Sequence, residues 1–211
     1  MVRIVAGHVK GRRLKSPSGQ VRPTSGRVRT SLFDALAAWI GDRTVVDLCA
    51  GTGSLGIEAL SRGAACAVFV DNDPSAVRAI KTNLAQCALP GQDAVWRTDA
   101  VAALRYLGQS RCTVDLIIAD PPYDAPVTDD ILQAVATLPV LAGDGFLIIE
   151  HSVRTNPALP ETGLEQVRRR TYGDTALSFY QQDEQARITS PRSDTVIQPV
   201  DLPPPSPRKR R

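Results

Sequence analysis

Two rhythms of apolar positions alternate along this chain. Compact runs rich in β-branched and aliphatic residues, Thr44–Leu48, Cys66–Val70, Ala94–Arg97, Val114–Ala119 and Gly145–Ile149, read as buried strands. Between them apolar residues recur every three or four positions, the spacing of a helix face. Val28, Leu32, Leu36 and Ile40 share one face of a helix expected over Gly26–Ile40, with Ser25 as its N-cap. Leu55, Ala59 and Leu60 lie in Ser54–Arg62, which stops at Gly63. Asp73 and Pro74 open a third helix carrying Val77, Ile80, Leu84 and Ala85, and two more follow near Asp99–Leu107 and Asp129–Thr137.

The two ends of the chain follow period two instead. Val2–Ala6 and Arg12–Lys15 flank His8-Val9-Lys10-Gly11, so a β-hairpin is expected there. Leu164–Thr171 and Ala176–Gln181 flank Tyr172-Gly173-Asp174-Thr175, a second hairpin. Alternating strands and helices closed by that hairpin predict an α/β fold: a seven-stranded, mostly parallel, doubly wound sheet with helices on both faces. Three regions follow: an arm over residues 1–24, a domain over 25–186 and a tail over 187–211, whose six prolines and terminal Arg208-Lys209-Arg210-Arg211 predict disorder.

Candidate chemistry sits where strands are expected to end. Asp120-Pro121-Pro122-Tyr123 stops the run Val114–Ala119, and in a parallel sheet ligands bind at that end. A carboxylate and a proline-fixed carbonyl there suit both hydrogens of an exocyclic base amine, while Tyr123 suits stacking on the base. The same four residues also make an ordinary strand-ending turn, with Asp120 capping and Tyr123 packing. Upstream, Gly51, Gly53 and Gly56 follow Val45–Leu48 with G-x-G-x-x-G spacing, a loop that lets backbone approach a nucleotide-like ligand. Asp47 beneath that loop would repel a diphosphate but hold a cationic amino-acid group. Asp71 ends the next strand about 20 residues after Gly51, where a carboxylate accepts from ribose hydroxyls. Both details favour S-adenosylmethionine over a dinucleotide.

With both motifs in this order the chain resembles a class I S-adenosylmethionine-dependent methyltransferase. Arg3-Ile4-Val5-Ala6-Gly7, Gly11-Arg12-Arg13-Leu14, Arg22-Pro23-Thr24, Arg27 to Phe33 and Tyr172-Gly173-Asp174-Thr175 look like the bacterial RsmD family over roughly residues 2 to 183. That resemblance implies a Rossmann-like methyltransferase fold and methylation of N2 of one guanine in 16S ribosomal RNA, free or within the small ribosomal subunit. It implies S-adenosyl-L-methionine held by Asp47, Ala50, Gly51, Gly53, Asp71, Asn72, Asp99, Ala100 and Asp120. Asp120, Pro121, Pro122 and Tyr123 would form the catalytic set. Arg3, Lys10, Arg12, Arg13, Arg22, Thr24, Arg27, Arg29 and Tyr123 would contact the RNA. For Asp99, helix capping competes with a role at the adenine amine; His151 is expected to be structural and Trp96 to lie in the core.

Charge sharpens the nucleic-acid reading. A net charge of +3 conceals +8 over residues 1–30, −9 over 31–186 and +4 over 187–211. An acidic body with an acid-free basic arm is the pattern of an enzyme whose arm meets phosphates; a solvated face is the blander explanation. No apolar run of about 18 residues or secretory leader pattern is present, and Cys49, Cys66, Cys87 and Cys112 form no C-x-x-C pair. A monomeric cytoplasmic protein without membrane or metal is therefore expected. Two other functions stay open at this stage. A DNA methyltransferase acting on adenine N6 uses the same tetrapeptide logic, though no target-recognition insertion is visible. A non-catalytic RNA- or ribosome-binding protein could keep the fold. Cytosine C5 chemistry fits poorly, since none of the cysteines follows a proline.

Overall fold

The computed structural model describes residues 2–17, 26–89, 92–122, 127–189, 202, 204 and 205. Strands β3 (Thr44–Leu48), β4 (Cys66–Asp71), β5 (Gln92–Arg97), β6 (Val114–Ala119), β7 (Leu141–Ser152), β8 (Leu164–Tyr172) and β9 (Thr175–Gln182) form one sheet in the order β5-β4-β3-β6-β7-β9-β8. The first five in that order pair in parallel, and β9 pairs antiparallel with both β7 and β8. The predicted seven-stranded, mostly parallel α/β sheet is thus present. Among the described residues no helix is long and apolar enough to cross a membrane.

Alternation along each strand sorts the core into two layers. Val45, Ala67, Phe69, Leu116, Ile118, Ile148, Leu177 and Phe179 share one cluster with α1 (Gly26–Ala35), α2 (Ser54–Ser61) and α3 (Pro74–Cys87). Val46, Leu48, Val68, Val70, Trp96, Ile117, Leu147, Ile149 and Tyr180 share the other with α4 (Ala100–Gln109) and α5 (Val127–Thr137). Trp96, Phe33, Phe69 and Tyr180 are fully buried, each worth about 1.5–3 kcal/mol relative to exposure. Trp96 is core, as its sequence context implied, edge-on to Tyr106 at 5.6 Å.

Several boundaries differ from expectation for physical reasons. Helix α1 ends at Ala35 rather than Ile40. Leu36 and Ile40 stay buried because a turn continues the spacing, Ile40 N donating to Leu36 O at 2.9 Å. Strand β7 begins at Leu141 and not Gly145. Its pairing with β6 shifts between Val114/Leu141 and Leu116/Phe146, so Ala142 to Gly145 are accommodated as an irregularity. It also continues through Glu150 and His151 to Ser152, because β9 pairs with it that far. Helix α6 (Glu184–Thr189) includes residues 187–189, the first of the expected tail, of which only 202, 204 and 205 are otherwise described.

The N-terminal hairpin forms from two short strands, β1 (Val2–Arg3) and β2 (Arg13–Leu14). It is fastened to α2. Glu58, fully buried, accepts from Val5 N at 2.8 Å and Ala6 N at 3.0 Å. Ser61 O accepts from His8 N at 2.8 Å, and Ser61 Oγ accepts from Val9 N at 3.1 Å. Gly7, at φ +81°, lets the hairpin come that close, for a Cβ there would lie 1.7 Å from Ser61 O.

Candidate active site

Parallel pairing brings the ends of β3, β4, β5 and β6 to one edge of the sheet. Leu48 stands beside Val70 on one side and Ala119 on the other, and Asp71 stands beside Arg97. The chain leaves β3 for β4 and β5 in one direction and returns to β6 in the other, so a crevice opens between β3 and β6. The loop Cys49–Gly53 lies at that crevice. Gly51 and Gly53 have φ of +54° and +75°, and so does Cys49 at +56°. A non-glycine residue there carries strain of order 1 kcal/mol, the kind concentrated at functional loops. Gly56 serves packing: a Cβ would meet the Phe69 ring at 2.3 Å, so only glycine lets α2 lie this close to β4.

Asp47 carries the strongest electrostatic signal. It is 1 % exposed. Its Oδ2 accepts from Gly56 N at 2.8 Å, while its buried Oδ1 has no partner. Burial pushes its carboxyl well above the usual range, only partly opposed by the Gly56 hydrogen bond, and the charges of Asp120 and Asp71 push it further. An oxygen this buried and unpartnered beneath a glycine loop fits a cationic or hydrogen-bond-donating group. Cys49 is held to about 12, first by burial and then by Asp71, Asp47 and Asp120. It is no nucleophile at neutral pH, which removes the covalent cytosine route for this cysteine as well.

The remaining predicted positions divide clearly. Asp71 Oδ2 accepts from Gly51 N at 2.8 Å and Oδ1 from Asp73 N at 2.9 Å, leaving each oxygen further acceptor capacity. Asn72 beside it is exposed, and Ala50 is buried under the loop. Asp99 caps α4, its Oδ1 accepting from Ala102 N at 2.8 Å, with Ala100 buried behind it. Asp120 is half-buried at the end of β6, Pro121 is buried and Pro122 exposed. Tyr123, Arg22 and Thr24 lie outside the described residues. Arg3, Lys10, Arg12, Arg13 and Arg27 are exposed. Arg29 departs from expectation. It is 2 % exposed, donates from Nη2 to Arg3 O and has Nε 3.7 Å from Glu58 Oε2, so it is tied into the core and not presented to phosphate.

His151 is structural, as its position implied. Nδ1 donates to Ser152 O at 2.8 Å, Nε2 meets Ser178 Oγ at 2.9 Å, and burial pushes its pKa down, which keeps the ring neutral. Two residues that sequence reasoning passed over link arm to loop. Glu58 anchors the hairpin, and Asn83 accepts from Lys15 N at 2.8 Å while donating from Nδ2 to Lys15 O and Thr52 O, both at 2.9 Å. The available signal was a polar residue on an apolar helix face in each case. Among the described residues no grouping of His, Cys, Asp or Glu side chains has a metal-site arrangement.

Known proteins match this architecture along nearly the whole chain. Over 182 residues it is 36% identical to YlbH of Bacillus subtilis, described as a candidate rRNA methyltransferase, covering 85% of this chain and 98% of that one. It is 30% identical to Ribosomal RNA small subunit methyltransferase D of Escherichia coli K12, covering 87% and 91%. Among solved structures, a candidate methyltransferase named yhhF from Escherichia coli superposes with a TM-score of 0.73 at 31% identity, covering 86% of this chain and 97% of that one. The model of the family described as Conserved hypothetical protein 95 matches residues 2–181. The chain therefore belongs to that family, the one its arm, glycine loop and Asp-Pro-Pro-Tyr motif resemble, and has the methyltransferase fold.

Proposed function

We propose that this chain transfers a methyl group from S-adenosyl-L-methionine to the N2 amine of a guanine in 16S ribosomal RNA, in the cytoplasm, on free RNA or the small ribosomal subunit. The carrying observation is the partnerless buried Oδ1 of Asp47 under a glycine loop, one strand from Asp120-Pro121 at the same sheet edge. The relatives named as small-subunit RNA methyltransferases support the substrate.

The cofactor supplies a methyl group made electrophilic by a sulfonium. Asp47, Gly51 and Gly53 would hold its amino-acid end, Asp71 its ribose and Asp99 its adenine amine. Asp120 and the Pro121 carbonyl orient the guanine amine by accepting its two hydrogens, which localises the nitrogen lone pair towards the methyl carbon. Asp120 or water would take the surplus proton of the amine nitrogen once it carries the methyl group. Tyr123 would stack on the splayed base, and the exposed arginines of the arm would meet phosphates.

Labelled cofactor offered with naked 16S RNA, unmodified small subunits and duplex DNA tests this. N2-methylguanosine from RNA or subunits is the expected product. Methylated adenine from DNA with silent RNA would overturn the reading, and absence of saturable cofactor binding would leave only a binding protein.

Asp47 gives a second test with opposite signs in two assays. A carboxyl whose folded pKa is raised favours folding most below its unfolded pKa of about 3.9, and that benefit is lost as pH rises through the folded value. Asparagine keeps an acceptor for Gly56 N and does not titrate. Asp47→Asn is therefore expected to raise Tm at pH 7 by about 2–5 °C, the gap over wild type growing from pH 4 upwards. Cofactor affinity should fall by about tenfold, as a charged hydrogen bond becomes neutral. Calorimetry across pH and equilibrium dialysis measure the two; a lower Tm would contradict the electrostatic account.

A further inference from the structure

A groove between α1 and β8 joins Arg27, already expected to contact RNA, to arginines of β8 that the site above does not use. Arg27, Thr30, Ser31, Asp34, Ala35 and Arg170 line it. Strand β8 ends the sheet, so among the described residues no strand pairs with its outer edge, and its sequence passes through Arg168-Arg169-Arg170. Charges on an edge strand discourage pairing with another chain. That purpose does not explain Arg27, which comes from a helix.

Register decides where each arginine points. Arg168 pairs with Phe179 and Arg170 with Leu177, residues of the cluster beneath α1, and directly paired residues share a face. Arg168 and Arg170 therefore stand on the α1 side. Tyr172, next on that face, contacts Ser31 Oγ through its hydroxyl, which fixes the strand against the helix. Arg169 points the other way, and its Nη2 already donates to Val153 O at 3.1 Å. The acid in the groove, Asp34, is paired with Arg62 at 3.3 Å. Arg27 and Arg168 are exposed and Arg170 is half-buried along the wall.

The same ladder gives the distance to Asp120. Ala119 pairs with Ile149, Ile149 with Ser178 and Ser178 with Arg169. Arg170 therefore stands level with Asp120, three strands away, which at about 4.8 Å per strand is about 14 Å. Arg168 and Arg170, two residues apart, are separated by about 6.6 Å along the strand, a spacing suited to successive phosphates of a single strand.

We propose that this groove binds the phosphodiester backbone of the substrate RNA a few nucleotides from the methylated base, with Arg27, Arg168 and Arg170 as the phosphate-binding set. The inference rests on the RNA substrate proposed above. The full chain carrying Arg27→Ala, Arg168→Ala and Arg170→Ala together is compared with wild type and with Arg169→Ala for binding a 16S RNA fragment spanning the modified site, across salt concentrations. Three lost phosphate contacts lower the slope of log affinity against log salt by about 2. At low salt the triple variant should bind RNA about 10–100-fold more weakly and show a raised KM, with cofactor affinity unchanged. Arg169→Ala should keep the wild-type slope. Wild-type methylation of RNA with equal slopes in wild type and triple variant overturns the groove while leaving the function intact. A wild-type protein that binds no RNA overturns both. Thermal unfolding of each variant shows that the fold is kept, as expected for surface substitutions.

Discussion

Asp120→Ala is expected to lower kcat for methyl transfer by about 10²–10³, the scale of removing one preorganised polar group from a reacting centre. Cofactor affinity should fall by at most about 10–150-fold, because a single charged contact is worth about 1.5–3 kcal/mol and the loop, Asp47 and Asp71 remain. The reasoning starts in the strand. β6 is fixed on both sides by parallel pairing, to β3 through Val45–Leu48 and to β7 through Phe146–Ile149. Asp120 is the first residue beyond it, half-buried, and buried Pro121 follows with its φ locked by the ring. Carboxylate and carbonyl therefore leave the sheet in a fixed relation, which an amine with two hydrogens can use. Alanine removes one acceptor and leaves the other, so residual turnover should persist. Asp120→Asn restores a single acceptor oxygen and should lie between alanine and wild type. Single-turnover transfer with saturating RNA, beside equilibrium dialysis of the cofactor, separates the effects. If affinity collapsed while the single-turnover rate held, Asp120 would belong to the cofactor site alone.

How far the sequence foretold this arrangement varied with the kind of constraint. Val114–Ala119 was legible residue by residue because two prolines end an apolar run. The glycine loop was equally legible, since a strand, a turn and a helix leave only that path for the backbone. Strand β7 was not, because Gly143-Asp144-Gly145 reads locally as a turn and becomes strand only through its pairing with β6. Strand order was not derivable from the sequence either; it is seen only in the pairing, as β5-β4-β3-β6-β7-β9-β8. Charge was legible as a count and not as a placement. Eight cations in the first 30 residues marked the arm, yet nothing local distinguished Arg29, which Glu58 draws inside, from Arg27, which stays in solvent. Arg168 and Arg170 passed unnoticed because their meaning depends on the register of a terminal hairpin. Stacking by Tyr123 rests on its place in the motif, as the residue lies outside the described ones.

Glu58→Ala should be the most damaging single change to the fold, at about 3–5 kcal/mol, because it leaves a buried charge uncompensated. Every side chain of α2 is buried, and Glu58 is its one ionisable group. Its carboxylate takes the amides of Val5 and Ala6, Arg62 Nε at 2.8 Å, and the field of Arg29. Burial pushes the Arg29 pKa down, opposed first by Glu58 and then by Glu150. Without Glu58 the guanidinium keeps its desolvation and loses its nearest countercharge, and the two hairpin amides lose their acceptor. Glu58→Gln keeps an acceptor and the volume but not the charge, so it should cost less than alanine. Replacing both members, Arg29→Met with Glu58→Leu, removes the stranded charge as well and should be milder than the sum of the single changes. Urea unfolding of wild type, Arg29→Met, Glu58→Leu and the double variant closes that cycle. The functional consequence is separable from the stability loss. The hairpin carries Arg3, Lys10, Arg12 and Arg13, so freeing it should raise KM for RNA in the folded Glu58→Gln protein while cofactor affinity holds. Amide exchange at Val5 and Ala6 is the direct readout: protection equal to wild type in Glu58→Ala would mean that other contacts hold the arm, and the ion pair would then be incidental to RNA binding.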